Sequence, residues 1–221
     1  MTHFADHVLR TEKRSITTFG DSITAGASVP EATRWANRLA TRLHLSLVNK
    51  GISGTVLQGS ADATGKPRQD NGFHRFRRDL LGEDRSDCVA ILYGTNDARH
   101  TGAPSTLNQG GFVRDYRAVL TALIEAGFAP ADIVIGSPVH LSDAGFAVGD
   151  PEFIGQSRDG YEAYIGSVRS LARDFGTFYA PVHERMTAEG GDALLLPDCV
   201  HPNPEGHAVI ASAFAAATIL D

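Results

Sequence analysis

Near the carboxyl terminus, Asp198-Cys199-Val200-His201-Pro202 sets a carboxylate and an imidazole three residues apart in a turn-forming stretch. An aspartate so placed can accept a hydrogen bond from one ring nitrogen and fix the tautomer, leaving the other nitrogen to act as a base. A solvated loop has the same spacing, so the pair acquires chemical meaning only with a nucleophile. Ser22 is the candidate: it follows the run Ile16-Thr17-Thr18-Phe19, which stops at Gly20-Asp21. Acyl transfer needs an activated nucleophile, a base with its orienting group, and donors aimed at the developing oxyanion. Ser22 can supply the hydroxyl, His201 can take its proton and Asp198 can hold His201. The backbone N–H groups of Ser22 and Gly54, with the Asn96 side-chain amide, can form the oxyanion hole. Taken singly, Ser22 reads first as a helix N-cap and Asn96 as a turn residue; their combination with Asp198 and His201 points to catalysis.

The elements that must bring these residues together are legible as runs. Short apolar stretches at Ile16–Phe19, Leu45–Val48, Cys88–Tyr93, Ile133–Ile135 and Thr177–Val182 read as strands, the third near-continuously apolar as in a strand buried on both faces. Between them, Glu31–His44, Gly72–Leu81, Gly111–Gly127 and Tyr161–Phe175 show apolar residues at helical spacing, and Pro204–Leu220 reads as a last helix. Within the second of these, Arg75-Phe76-Arg77-Arg78 is expected to be a solvated face. Strands alternating with helices five times imply an α/β fold, doubly wound, with a five-stranded parallel sheet. Ligands in such sheets bind beyond the carboxyl ends of the strands, where Ser22, Gly54 and Asn96 follow the first three strands.

Four motifs in order, Gly20-Asp21-Ser22-Ile23, Gly51-Ile52-Ser53-Gly54, Gly94-Thr95-Asn96-Asp97 and Asp198-Cys199-Val200-His201-Pro202, make the chain resemble the GDSL or SGNH hydrolases across almost its whole length. The resemblance implies a flavodoxin-like three-layer α/β/α sandwich, Ser22 as nucleophile, Gly54 and Asn96 as oxyanion donors, and His201 with Asp198 as base and orienter. The chain departs from the pattern at Ile23, where the motif has Leu, and at Thr55, where many members have Asp or Asn. The second departure leaves Gly51 and Gly54 as alternatives for the backbone donor, with Gly54 favoured because it lies further beyond the strand end.

Composition narrows the setting. The 221 residues suffice for one sizeable core and show no break, so residues 1–221 read as a single domain. With 26 acidic against 20 basic residues and a net charge of -6, a nucleic-acid partner is not expected. Charges throughout Met1–Arg14 leave no room for the apolar core of a signal peptide, which points to a cytoplasmic setting. The Ala-rich run Ala208–Leu220 is too short to span a bilayer. Two cysteines, Cys88 and Cys199, read as free thiols. Gly59–Lys66 fails as a phosphate-binding loop because the spacing is one residue too long and Pro67 replaces the required hydroxyl residue. His201 and His207 fail as a metal pair because Pro202 and Pro204 intervene and no further ligand cluster appears. The reading is a serine esterase needing no cofactor or metal, acting on a small ester such as an acylated sugar, a short-chain ester or a lipid, with short acyl groups favoured. An acyltransferase using the same acyl-enzyme, and an inactive binding module, are its rivals. Arg99, His100 and His140 border the rim with roles that sequence leaves open, as it does the oligomeric state.

Overall fold

The computed structural model describes residues 2–61, 64–99, 107–147 and 156–221. Its sheet runs in the order β2-β1-β3-β4-β5-β6. The strands are β1 (Ser15–Gly20), β2 (Ser46–Gly51), β3 (Cys88–Leu92), β4 (Ile133–Gly136), β5 (Phe178–Ala180) and β6 (Thr218–Ile219). The first five are parallel, as expected; β6 is an added antiparallel edge pairing Phe178 with Ile219. Along the chain lie α1 (Phe4–Arg10), α2 (Ser22–Ala25), α3 (Trp35–Leu43), α4 (Gly72–Leu80), α5 (Thr95–Arg99), α6 (Gln109–Glu125), α7 (Asp143–Ala147), α8 (Arg158–Phe175), α9 (Val182–Glu189) and α10 (Pro204–Ala215).

Period-two alternation in the strands divides the core into two layers. Cys88, Ala90 and Leu92 of β3, Val134 of β4 and Phe178 of β5 face one layer, where Phe4, Trp35, Leu39 and Phe214 pack from α1, α3 and α10. Val89, Ile91, Ile133, Ile135 and Tyr179 face the other, filled by Phe76, Phe112, Tyr116 and Val168 from α4, α6 and α8. Helices on both faces complete the three-layer sandwich. Among the described residues no helix is long and apolar enough to cross a membrane.

Several boundaries differ from the sequence reading, each for a physical reason. The helix expected over Glu31–His44 is split, because Arg34 is extended at φ -64°, ψ 142°, between a single 3-10 turn and α3. The last helix ends at Ala215, and the β-branched Thr218 and Ile219 then pair with β5. Helix α9 lies in a stretch for which the sequence reading gave no helix, since Val182 and Met186 are its only buried residues and leave little periodicity to read. Helices α5 and α7 likewise occupy stretches for which the sequence reading gave no helix.

The strand order creates the place for a site. The chain steps from β1 outward to β2, then back across β1 to β3, so the crevice between β1 and β3 is the topological switch point. Register aligns Gly20 with both Gly51 and Leu92, bringing the ends of β1, β2 and β3 level.

Candidate active site

Ser22 opens α2 immediately after β1, and the buried Asp21 side chain caps that helix by accepting a hydrogen bond from the Ile23 N–H at 2.9 Å. Burial pushes the Asp21 carboxyl up to about 7, its bond from Ile23 opposing the rise and the Asp97 carboxylate adding to it. Ser22 Oγ lies 2.9 Å from His201 Nε2, and His201 Nδ1 lies 2.8 Å from Asp198 Oδ2. The other Asp198 oxygen accepts the backbone N–H groups of Val200 at 3.0 Å and His201 at 2.9 Å. Partial burial would raise the Asp198 carboxyl, but these N–H donors and the imidazole outweigh it and hold it below the usual range. Asp198 is therefore an ionised acceptor, so Nδ1 carries the ring proton and Nε2 faces the serine with its lone pair.

A compact loop presents His201. Leu196 N–H donates to the His201 carbonyl at 2.7 Å, Cys199 N–H to the Leu196 carbonyl at 2.9 Å, and Cys199 adopts left-handed backbone at φ 63°. Asn203 then caps α10 by accepting from Gly206 N–H, with Pro204 in the first turn, where its missing N–H costs nothing. His207, one turn into α10, is buried, and its Nδ1 accepts the Trp35 N–H at 3.1 Å.

On the other side of Ser22, the two glycines of the second motif do different things. Gly51 belongs to β2, and a Cβ there would sit 2.1 Å from the Ala25 nitrogen and 2.5 Å from the Thr24 carbonyl carbon. Its N–H is engaged with Asn49 Oδ1 at 2.9 Å. Gly54 has φ +75°, and a Cβ on it would meet nothing within 4 Å. Asn96, buried on α5, donates through Nδ2 to the Thr55 carbonyl at 3.0 Å, which identifies the amide nitrogen and leaves its second N–H uncommitted to that bond. Thr55, a departure from the usual motif, donates its hydroxyl to the Ile52 carbonyl at 2.8 Å and so closes the Gly51–Gly54 turn.

The structure thus brings Ser22, His201 and Asp198 into one relay and sets Gly54 and Asn96 in adjoining segments bonded to each other through Thr55. Three residues with no role in the sequence reading hold that arrangement. Asp97, fully buried, accepts the N–H groups of Leu57 at 3.0 Å and Gln58 at 2.9 Å, and burial pushes its carboxyl up to about 6 despite these bonds. Tyr93 bonds Thr55, and Arg75 bonds Tyr93. Arg75 is 1% exposed, which corrects the expectation of a solvated face; Arg77 and Arg78 are exposed as expected. Only the adjacency of Asp97 to Asn96 offered any sequence signal, since Arg75 and Asp79 at i, i+4 look like a surface pair.

The bordering residues are accounted for differently. Arg99 is 4% exposed, with its Nε 3.2 Å from Gln156 Oε1. His140 is engaged on both nitrogens, with Thr187 Oγ1 at 3.1 Å and Asp192 Oδ1 at 2.7 Å. His100 lies outside the described residues. Both cysteines are free, Cys88 buried with its thiol pushed up to about 12 by desolvation.

Comparison with known proteins agrees with this architecture. A lipase/acylhydrolase from Enterococcus faecalis superposes with a TM-score of 0.69 at 19% identity, over 94% of this chain and 99% of that one. A catalytic mutant of an acetylxylan esterase from Geobacillus stearothermophilus superposes with a TM-score of 0.65 at 19% identity, over 91% of this chain and 92% of that one. At such identities the likeness is one of fold. No curated protein matches the sequence. The model of the GDSL-like Lipase/Acylhydrolase family matches residues 18–209, a span that holds all four motifs, and the chain belongs to that family of carboxylic ester hydrolases.

Proposed function

We propose that the protein is a serine esterase in which Ser22 attacks the ester carbonyl, His201 takes the serine proton and Asp198 orients His201. The observation that carries this reading is the continuous relay at the switch point, 2.9 Å from Ser22 Oγ to His201 Nε2 and 2.8 Å from Nδ1 to Asp198 Oδ2. Attack converts the carbonyl oxygen into an oxyanion, held by the N–H groups of Ser22 and Gly54 and the free N–H of Asn96. The engagement of the Gly51 N–H with Asn49 favours Gly54 as the second donor. Collapse of the tetrahedral species passes the proton from His201 to the leaving alkoxide and leaves an acyl-Ser22 ester. Water, deprotonated by His201, then attacks that ester and releases the acid.

The substrate is a small ester with a short acyl group. Among the described residues the exposed large hydrophobic side chains are Leu9, Val48 and Ile219, on α1, within the edge strand β2 and on β6. None is on the loops beyond the carboxyl ends of the parallel strands, where a long acyl chain would need an apolar trough. The domain carrying this activity comprises residues 1–221, because both core layers draw on the sheet from β1 to β5. The test is hydrolysis of p-nitrophenyl esters from acetate to palmitate by wild type and Ser22→Ala. The expected result is turnover of the short esters by wild type alone, with covalent labelling by a fluorophosphonate probe lost in the variant. Near-wild-type turnover by Ser22→Ala would overturn the reading.

A further inference from the structure

We propose that Arg75 is a positioning residue for the oxyanion hole, acting through Tyr93 and Thr55, a role that rests on the serine-esterase reading above. All five guanidinium N–H groups have acceptors. Nε donates to the Asp70 carbonyl at 2.8 Å; Nη1 donates to the Lys50 carbonyl at 2.9 Å and Asp79 Oδ2 at 2.6 Å; Nη2 donates to the Gly20 carbonyl at 3.0 Å and the Tyr93 hydroxyl at 2.6 Å. The group also lies over the Phe19 ring, 4.1 Å from its centroid.

These acceptors are the ends of the segments that carry the site. Gly20 closes β1 two residues before Ser22, Lys50 is at the end of β2 four residues before Gly54, and Tyr93 follows β3 three residues before Asn96. One planar, rigid cation therefore sets the spacing of three strand ends, a task for which its fork geometry suits it better than a flexible point charge.

The direction of the bonds beyond Arg75 is determined by the donor inventory. A guanidinium only donates, so Tyr93 must accept from it with its oxygen. The Thr55 hydroxyl spends its single proton on the Ile52 carbonyl at 2.8 Å, so across the 3.0 Å contact Tyr93 donates and Thr55 accepts. The relay runs Arg75 to Tyr93 to Thr55 to Ile52. It ends inside the Gly51–Gly54 turn, on the same Thr55 whose carbonyl receives Asn96 Nδ2 at 3.0 Å. Both proposed non-serine oxyanion donors are thus attached to one residue that Arg75 orients. Asp79, whose side chain is 7% exposed, supplies the counter-charge of the buried cation at 2.6 Å.

The proposal separates positioning from bulk stability. Arg75→Lys keeps a charge opposite Asp79 but cannot reach three strand ends together, and Tyr93→Phe removes one hydroxyl and no charge. Both are assayed on a short p-nitrophenyl ester at a temperature where circular dichroism shows them folded, with Ser22→Ala alongside. The expected result is a kcat about tenfold or more below wild type with KM within about twofold, since an oxyanion hole acts on the transition state. Tyr93→Phe and Asn96→Ala combined should lose less than the product of their single losses, because both act on the same donors. Should Arg75→Lys not fold, Tyr93→Phe and its double-mutant cycle decide alone. Wild-type kcat in Tyr93→Phe, or strictly multiplicative losses in the cycle, would overturn the proposal while an inactive Ser22→Ala kept the esterase reading intact. An active Ser22→Ala would overturn both.

Discussion

At the scale of single residues, the site divides into groups that would touch the reacting atoms and groups that aim them. Asn96 is proposed to be of the first kind: its amide is pinned by one bond to Thr55, and the second N–H is the donor proposed for the oxyanion. Its truncation removes a directed donor and one buried bond without leaving an unpaired charge. Asn96→Ala is therefore expected to lower kcat by about 10²–10³-fold with little change in KM, measured by steady-state kinetics on a short ester. A loss confined to KM would show that Asn96 binds substrate without stabilising the oxyanion. Asp198 belongs to the second kind, since its low carboxyl range keeps it an acceptor and so determines which His201 nitrogen faces Ser22.

At the scale of elements, the serine is held by the contact of α2 with β2. The four-residue α2 sits directly on Gly51, so close that a methyl group there would fall 2.1 Å from the Ala25 nitrogen. Backbone cannot move aside as a side-chain tip can. Gly51→Ala should consequently displace α2, cost about 1–3 kcal/mol in chemical denaturation, and reduce turnover through the misplaced Ser22. Unchanged stability and activity in that variant would show that α2 moves freely. The contrast with Gly54 is instructive: that position has room for a Cβ but a backbone at φ +75°, so its glycine serves conformation and open approach.

At the scale of the whole molecule, the helix that follows His201 is joined to its neighbour in the same layer, α3. His207 on α10 accepts the Trp35 N–H of α3, and Trp35 stacks on Phe214 of α10 with centroids 4.5 Å apart. Desolvation, aided by the nearby cations of Arg38, His201 if charged, and Arg34, lowers the His207 imidazole to about 4. Because the folded value lies below the ordinary 6.5, the unfolded chain takes up the proton first as pH falls. Stability from the neutral ring is whole above 6.5 and is lost progressively down to about 4, by about 3 kcal/mol in full. Asp21 and Asp97 act in the opposite sense: their raised values, about 7 and about 6, favour the protonated fold and lose that preference as pH rises through them. Comparison with His207→Asn cancels those two carboxyls. Denaturation at pH 7 and at about pH 4.5 should show wild type losing stability relative to the variant by an amount on the order of 2 kcal/mol. Parallel losses would exclude His207 as a neutral buried joint.

The sequence by itself determined the α/β class, the five parallel strands, the four motifs and the candidate residues Ser22, Asn96, Asp198 and His201, because each of these is a local pattern. A strand shows its apolar run and a turn its glycine within a few residues. The tertiary structure decided the rest, because those features depend on partners far along the chain. Thr218 and Ile219 become a strand only beside β5, and α9 has two buried side chains too sparse to announce a helix. Gly51 and Gly54 look alike in sequence and separate only when α2 lies on one and open space on the other. Arg75 is the sharpest case: its i, i+4 spacing to Asp79 is that of an exposed pair. Only folding brings the Gly20, Lys50 and Asp70 carbonyls and the Tyr93 hydroxyl within reach of its five donors, and a buried cation with every donor satisfied has no signature in local composition.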